Sequence, residues 1–193
     1  MNTSTRKVTF GLETRTCSVH FSMPDAADRA ELETFIRQQF YQAHGAQINA
    51  FMPCLMSLRD AQGKLIAACG LRSATDEPLF LETYLDQSIE ARLSAAMGYT
   101  IRRTEIVEVG NFAVATPGAA RCLVHEIIKQ LHLTAKQWAV FTIIPLISNA
   151  FAKMGVQAEA LGEAKIDRIP LEEHANWGRY YQQKPQIMAV RRF

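Results

Sequence analysis

The chain has 193 residues, 48% of them hydrophobic and 21% charged, so it can bury a complete core of its own. Its 21 basic and 19 acidic side chains leave a net charge of +2, which argues against a nucleic-acid-binding surface. The four cysteines form no CxxC pair, a scatter typical of free thiols in a reducing compartment rather than of a metal site or a disulfide framework. Because the sequence shows neither a signal peptide nor an apolar run of membrane-spanning length, we expect a cytoplasmic protein without stable membrane insertion.

The first predicted elements are a strand and a helix. Residues 1–16 alternate apolar and polar positions, which leaves a strand and a flexible lead-in both open, and residues 19–21 form the first predicted strand. The helix that follows takes Asp28 as its N-cap, because Glu31 lies three residues further on in a capping-box pattern. Gly45 marks the end of this helix.

A β-hairpin and a second helix come next. Residues 54–59 and 64–72 are apolar runs joined by a short polar segment with a glycine, which predicts two paired strands. Residues 79–85 fit a strand or a helix equally well. Residues 88–97 predict a helix that ends before Gly98.

The second half of the chain alternates strands and helices. The most strongly predicted central strand is residues 104–114, which are rich in β-branched side chains, and a helix follows at residues 119–133. Residues 138–144 predict a strand buried on both faces, and residues 146–154 predict another helix. With a C-terminal segment of strands and aromatic residues at 157–193, this order predicts one mixed α/β domain over the whole chain.

Two features of the central strand and its end suggest chemistry. Glu108 lies inside an apolar strand, where it is either an exposed residue or a buried general base with a raised pKa. Gly110, two residues later, indicates a β-bulge or the close approach of a ligand. The turn at residues 116–120 starts a helix with proline, glycine and alanine, which suits either an anion site or simple turn geometry.

A weaker candidate pair lies in residues 79–85. If this segment is a strand, Glu82 and Tyr84 share a face with Phe80 and could handle protons together; the alternative is an ordinary amphipathic element. The five histidines are isolated, and the sequence contains no zinc-protease motif, nucleophile elbow or nucleotide-binding loop. We therefore predict no metal site.

Several segments together resemble the thermostable hemolysin family, over a stretch from about Phe35 to Pro185. The residues that carry this resemblance are residues 51–53, 69–72, 77–86, 106–112 and 177–181 with Pro185. The resemblance implies a GNAT-like acyltransferase fold, with a mixed twisted sheet flanked by helices, related to the acyl-homoserine-lactone synthases. It also implies transfer of an acyl group from acyl-CoA or an acyl carrier protein to a small amine, without a tightly bound cofactor.

The resemblance assigns roles to individual residues. Residues 108–112 are similar to an E-x-x-R-F strand in which the glutamate is the base, but Asn111 replaces the arginine, which argues against a homoserine-lactone product. Arg37 and Phe40 lie in a segment similar to an N-terminal substrate-binding helix of those synthases. Residues 115–120 keep only the last two markers of the GNAT acyl-carrier loop, which fits a carrier-protein donor or a CoA held differently.

Together these expectations place an acyl thioester where strands 105–114 and 138–144 diverge. Glu108 deprotonates the acceptor amine, Glu82 and Arg72 orient the acceptor, and Tyr84 protonates the leaving thiolate. The candidate residues are Glu108, Glu82 and Tyr84 for catalysis; Arg72, Asn111, Phe112, Arg37 and Phe40 for the substrate; and Val114, Pro117, Gly118, Ala119, Ala120 and Asn149 for the acyl carrier.

Two further functions stay open at this point. One is a membrane-active or partner-binding protein that keeps the scaffold without its chemistry. The other is a homoserine-lactone-type synthase that uses S-adenosylmethionine. A homodimer is also left open, and Trp177, Tyr180 and Tyr181 either line an acyl tunnel or, as we favour, cap the core.

Overall fold

One mixed sheet of eight strands organises the computed structural model, which describes residues 4–10 and 13–192. The strands are β1 (Ser4–Phe10), β2 (Glu13–Ser22), β3 (Cys54–Arg59), β4 (Leu65–Ser73), β5 (Ile106–Val114), β6 (Trp138–Ile143), β7 (Ala158–Glu163) and β8 (Gln186–Arg191). The helices are α1 (Arg29–His44), α2 (Ile89–Met97), α3 (Pro117–Leu133) and α4 (Pro145–Lys153), with a 3₁₀ helix at Phe80–Tyr84. This confirms the predicted mixed sheet with flanking helices.

The strands lie in the order β1-β2-β3-β4-β5-β6-β8-β7. Among the described residues, every neighbouring pair is antiparallel except β5 and β6, which run parallel. Parallel neighbours need a crossover connection, and α3 supplies it. The β5–α3–β6 unit therefore lies at the centre of the sheet.

Core residues pack on both faces of the sheet, and each strand contributes to both because its successive side chains point to opposite sides. On one face, here called the α3 face, Val109, Phe141 and Val190 pack in one core cluster with residues of α3 and α4. On the other, the α1 face, Ile106 and Val140 pack with residues of α2 and the Phe80–Tyr84 helix, and Ala113 packs with residues of α1. The even-numbered positions from 106 to 110 in β5 thus face α1, and Glu108 is among them.

The structure corrects two local predictions. Asp28 is the N-cap of α1, but its backbone is helical, with φ of −91° and ψ of 0°, and its side chain makes no capping hydrogen bond. Glu31, the other half of the predicted capping box, pairs with Arg59 of β3 instead. Residues 79–85, left open as strand or helix, contain the Phe80–Tyr84 helix, so Glu82 and Tyr84 do not share a strand face with Phe80.

The two ends of the chain add strands that the sequence left open or unassigned. Within residues 1–16, the described parts belong to β1 and β2, which pair as a hairpin; residues 1–3 and 11–12 lie outside the described residues. In the C-terminal segment, β7 pairs with β8 at the edge of the sheet. Its alternating alanine and glutamate residues gave no strand signal, because they have low strand propensity.

Candidate functional site

A β-bulge in β5 shapes the centre of the sheet. The partner of Ala68 in β4 is Ala113, whereas the partner of Gly70 is Gly110, so β5 carries one extra residue between the two pairs. Asn111 takes a left-handed conformation there, with φ of 48°. This confirms the bulge that Gly110 predicted, and bulges of this kind end or redirect strand pairing.

The bulge coincides with a gap between β5 and β6. Residues 106–109 of β5 pair with residues 138–141 of β6, and the pairing ends there. Beyond this point β6 continues to pair with β8, while β5 continues with β4. The two strands diverge beyond this point, which leaves the main-chain groups of β5 beyond Val109 without β6 partners.

A cavity of about 470 Å³ passes through the sheet at this gap. Its lining includes Arg72 and Glu108 from the α1 face and Phe141 and Val190 from the α3 face. Because these side chains point to opposite sides of the sheet, the cavity has two parts joined at the gap. We call the part on the α1 face the polar chamber and the part on the α3 face the apolar lobe.

The two parts differ in chemistry. Lining residues of the polar chamber include Phe40, His44, residues 47–52, Arg72, Phe80, Tyr84, Glu108, Asn176, Trp177 and Tyr180. Lining residues of the apolar lobe include Val124, Ile127, Ile128, Leu131, Ala139, Phe141, Ile143, Ile147, Phe151, Val156 and Val190. The chamber can therefore orient a polar reactant, whereas the lobe offers only aliphatic and aromatic contact.

Glu108 is the buried carboxylate of the chamber and is only 3% exposed. The N–H of Leu81 donates to its Oε1 at 2.9 Å, and the N–H of Phe80 donates to its Oε2 at 3.1 Å. Burial raises the pKa of Glu108, and the two N–H groups and the charge of Arg72 offset this only in part. A carboxylate with a raised pKa beside a cavity is the arrangement expected of a general base.

Arg72 lies directly opposite Glu108 on β4 and supplies the positive charge of the chamber. Its Nη1 donates a long hydrogen bond of 3.4 Å to the main chain of Pro78. Its Nε lies 3.2 Å from the carboxylate of Glu77, yet it has no hydrogen-bond partner among the described residues. The guanidinium therefore keeps spare donors beside Glu108, and guanidinium groups bind carboxylates well.

An aromatic wall closes the chamber opposite the sheet. The Tyr84 hydroxyl is hydrogen-bonded to that of Tyr181, and burial and this neighbour raise the pKa of Tyr84 well above its usual range. Trp177 stacks on Phe80 with 5.9 Å between ring centroids. Trp177 and Tyr180 line the chamber, whereas Tyr181 packs behind Tyr84 in the core.

Thr142 sits at the gap and was not foreseen as a functional residue. Thr142 lines the cavity, and its main-chain oxygen accepts a hydrogen bond from the Tyr180 hydroxyl at 3.3 Å. The Thr142 Oγ1 is buried and has no hydrogen-bond partner among the described residues. A lone hydroxyl in the apolar strand 138–144 was the sequence signal that could have marked it, since buried polar groups are normally satisfied.

Residues 46–53, here called the strap, form the side wall of the chamber. Asn111 holds the strap with its side chain: its Oδ1 accepts the Met52 N–H at 3.0 Å, and its Nδ2 donates to the Ala50 oxygen at 3.2 Å. The Met52 side chain packs so closely over β4 and β5 that a Cβ at Gly70 or Gly110 would collide with it. The structure thus gives Asn111, predicted to bind substrate, a direct role in shaping the wall.

His44 is a second residue of the chamber that the sequence did not single out. Its Nδ1 is hydrogen-bonded to the Gln183 side chain at 2.8 Å. Burial lowers the pKa of His44, and the nearby charge of Arg179 lowers it further. A neutral imidazole therefore contributes to the wall beside Tyr180.

Glu82 lies outside the cavity lining, in an ion-pair network. Arg103 donates to both of its oxygens, at 2.6 and 2.8 Å, and the N–H groups of Leu79 and Ile89 donate to it at 2.8 Å each. Burial by itself would raise the pKa of Glu82, but these hydrogen bonds outweigh it and lower the pKa to about 2. The contacts describe a carboxylate that holds the loop between the Phe80–Tyr84 helix and α2.

The other predicted residues fall into two groups. Phe40 and Phe112 line the cavity, whereas Arg37 is exposed and holds the strap from outside, with its Nε 3.3 Å from the Ile48 oxygen. The carrier-binding candidates are not among the described lining residues of the cavity. These are Val114 at the end of β5, the α3 start at Pro117 with Gly118, Ala119 and Ala120, and exposed Asn149 on α4.

Neither a membrane-spanning helix nor a metal site is present among the described residues. Within residues 4–10 and 13–192, no helix is both long and apolar enough to cross a bilayer. The same residues contain no group of histidine, cysteine, aspartate and glutamate side chains that could hold a metal ion.

Comparison with known proteins identifies a family and a fold. The model of the thermostable hemolysin family matches residues 22–193, and no curated protein matches the chain. The chain is similar to TofI, crystallised in a ternary complex with an inhibitor and MTA, with a TM-score of 0.60 and 15% identity over 90% of each chain. At this identity the likeness concerns the fold.

Two other solved structures show the same likeness. FeeM, an N-acyl amino acid synthase from uncultured soil microbes, has a TM-score of 0.59 and 14% identity, covering 93% of this chain and 92% of its own. The AHL synthase LasI has a TM-score of 0.60 and 11% identity, covering 93% and 91%.

Proposed function

This chain belongs to the thermostable hemolysin family and has a GNAT-like fold, and we propose that it is an acyltransferase that moves an acyl group from an acyl thioester to a small amine. The observation that carries the proposal is Glu108, buried beside Arg72 in a chamber that opens through the sheet into an apolar lobe. A general base, a carboxylate-binding cation and an apolar pocket are the parts that such a transfer requires.

The reaction follows from the position of these groups. Glu108 takes a proton from the acceptor amine, whose nitrogen then forms a bond to the thioester carbonyl carbon. The carbon–sulfur bond breaks, and the proton that Glu108 took from the amine passes to the leaving thiolate, which restores the ionised base. The raised pKa of Tyr84 argues against its predicted role as the proton donor. The buried Thr142 hydroxyl supports this proposal as a donor to the carbonyl oxygen, where negative charge develops.

The donor is an acyl-CoA or an acyl carrier protein. The main chain of β5 beyond Val109 has no β6 partner, which suits the amides of a pantetheine arm. The arm would run from the gap towards the start of α3, where the positive end of the helix dipole favours a phosphate. Val114, residues 117–120 and Asn149 are the candidates along this route.

The acceptor binds in the polar chamber. Arg72, with spare donors next to Glu108, favours an amine that also carries a carboxylate. The wall formed by Phe80, Trp177 and Tyr180 suits a flat or apolar substituent on that amine. Phe40 and Phe112 complete the lining, whereas Asn111 and Arg37 act through the strap.

Replacement of Glu108 by glutamine tests this proposal. Turnover of a panel of acyl-CoAs and acyl carrier proteins with amino-acid acceptors is followed by release of free thiol. We expect Glu108→Gln to lower kcat/KM at least about 100-fold, the usual contribution of a general base, and to leave thioester binding intact. Glu126→Gln is the matched control, since Glu126 is also buried, at 1% exposure, but lies on α3 away from the cavity lining.

Two results would contradict the proposal. Equal losses in the two variants would show that removal of a buried charge, rather than loss of a base, caused the effect. Failure of every thioester to bind would favour a partner-binding or membrane-active protein on the same scaffold.

A further inference from the structure

We propose that the apolar lobe measures the acyl chain and selects a linear chain of medium length over an acetyl group. This inference rests on the proposed acyl transfer, because it names the donor that the cavity would accept. It is carried by the shape and lining of the lobe on the α3 face, a part of the cavity that the reaction at Glu108 does not itself use.

The lobe runs along one side of α3. Val124, Ile127 and Leu131 line it at spacings of three and four residues, so they form one continuous stripe of the helix. Phe141 and Ala139, two residues apart on β6, line the opposite wall on the same face of the sheet. A chain that entered at the gap would lie between this stripe and β6.

The far end of the lobe is closed. Leu131, Ala139 and Val190 line it and are only 2%, 1% and 3% exposed. Ala139 and Val190 are cross-strand partners on β6 and β8, so they form a floor under the α3 stripe. The small side chain of Ala139 leaves space at this floor that a larger residue would fill.

The length of the lobe follows from the helix. The seven helical steps from Val124 to Leu131 rise about 10 Å along α3. An extended chain advances about 1.2 Å per bond, so the lobe accommodates about eight carbon–carbon bonds. An acetyl group would leave most of this apolar space without contacts, and such voids lose packing energy.

Binding can be measured without turnover. The probes are straight-chain alkyl-CoA thioethers, which cannot transfer the chain, and free fatty acids, both from two to sixteen carbons, with affinity measured by calorimetry. We expect affinity to rise about fourfold per added methylene, as apolar burial predicts, and to stop rising once the lobe is full at about eight to ten carbons.

Two variants are expected to move the best-binding chain length in opposite directions. Ala139→Leu is expected to shift the best chain length down by two or more carbons, because it fills the floor. Leu131→Ala is expected to shift it up, because it opens the far end. Leu123→Ala is the matched control: Leu123 lies on the same helix and is fully buried, but it does not line the cavity, so its variant should lose stability and keep the wild-type length profile.

The results separate this inference from the proposed function. A flat profile from acetyl to hexadecanoyl, or the same profile shift in Leu131→Ala and Leu123→Ala, overturns the measuring lobe even if Glu108→Gln abolishes turnover. A length-dependent profile with free fatty acids that moves with Ala139→Leu supports the lobe even if no thioester is ever consumed, in which case only the transferase proposal fails.

Discussion

Glu82 and Glu108 lie at the two sides of one short helix and differ in almost every physical respect. Both accept N–H groups at the start of the Phe80–Tyr84 helix: Glu82 from Leu79, and Glu108 from Phe80 and Leu81. Yet the pKa of Glu82 is lowered to about 2, whereas that of Glu108 is raised. Glu82 is thus fixed as an anion, whereas Glu108, at the start of the same helix, can exchange a proton.

The difference arises from the cation each carboxylate meets. Arg103 donates to both oxygens of Glu82 and also pairs with Glu90 at 2.7 Å. Glu108 has Arg72 as its neighbour across the strands, but no arginine hydrogen bond to Glu108 is present among the described residues. Charge-assisted, bidentate pairing stabilises a carboxylate, while burial without it favours the protonated form. Glu82 therefore holds the loop, whereas Glu108 is suited to proton transfer.

Among the variants that test this difference, Glu82→Gln is expected to have the largest effect on the free energy of unfolding. We expect this variant to lose about 2 kcal/mol of unfolding free energy, the usual scale for hydrogen bonds to a charged group, while turnover per folded molecule stays within a few-fold of wild type. Urea unfolding and kcat/KM measure the two quantities. Glu90→Gln is the control, since Glu90 shares Arg103 but is more exposed and should lose less. A loss of turnover with unchanged stability would instead return Glu82 to catalysis.

The contributions of the two carboxylates to stability are expected to respond to pH in opposite directions. The lowered pKa of Glu82 contributes stability that is complete above its unfolded value of 4.5 and is lost as the pH falls towards 2. The stability difference between wild type and Glu82→Gln should therefore shrink over that interval, as urea unfolding at several pH values would show.

For Glu108 the raised pKa has the opposite consequence. As the pH rises through this pKa, the stability that Glu108 contributes is lost and the ionised base accumulates, so kcat/KM should increase over the same pH range. An activity profile that is flat there would contradict the assignment of Glu108 as the base.

Asn111 lies outside the carboxylate pair, and its replacement is expected to have a smaller effect on stability. Asn111→Gly keeps the left-handed backbone of the bulge but removes both hydrogen bonds to the strap, so it should lower unfolding free energy by about 1 kcal/mol and raise the KM of the acceptor. Asn111→Ala removes the same bonds and adds backbone strain of about 1 kcal/mol. Chemical denaturation and acceptor titration separate the two. An unchanged KM in both variants would show that the strap does not form part of the acceptor wall.

The elements with strong periodicity were predictable from the sequence. The helices that became α1, α2, α3 and α4 and the strands that became β3, β4, β5 and β6 follow from hydrophobic spacing, with Gly45 and Gly98 as helix ends. β7 was not assigned, because an exposed edge strand needs no apolar pattern. The Phe80–Tyr84 helix was ambiguous, because five residues are too few to distinguish periods of two and three.

The site was predictable only where one residue carried the signal. Glu108 stood out as a charge in an apolar strand, and Gly110 as a break in it. The division of labour between Glu108 and Glu82 was not predictable, because it depends on Arg103, more than twenty residues further along the chain from Glu82. The strap, Thr142 and the apolar lobe depend on contacts between distant segments, which local patterns do not encode.

The gap in the sheet also affects how the molecule responds to pressure, because it leaves a cavity in the core. A cavity of about 470 Å³ lies at the centre of the core, where most proteins of this size are densely packed. Hydrostatic pressure favours whichever state occupies less volume, and unfolding eliminates internal voids. A molecule that fills the cavity is therefore expected to raise the pressure at which the protein unfolds, because it acts as a missing part of the core as well as a ligand.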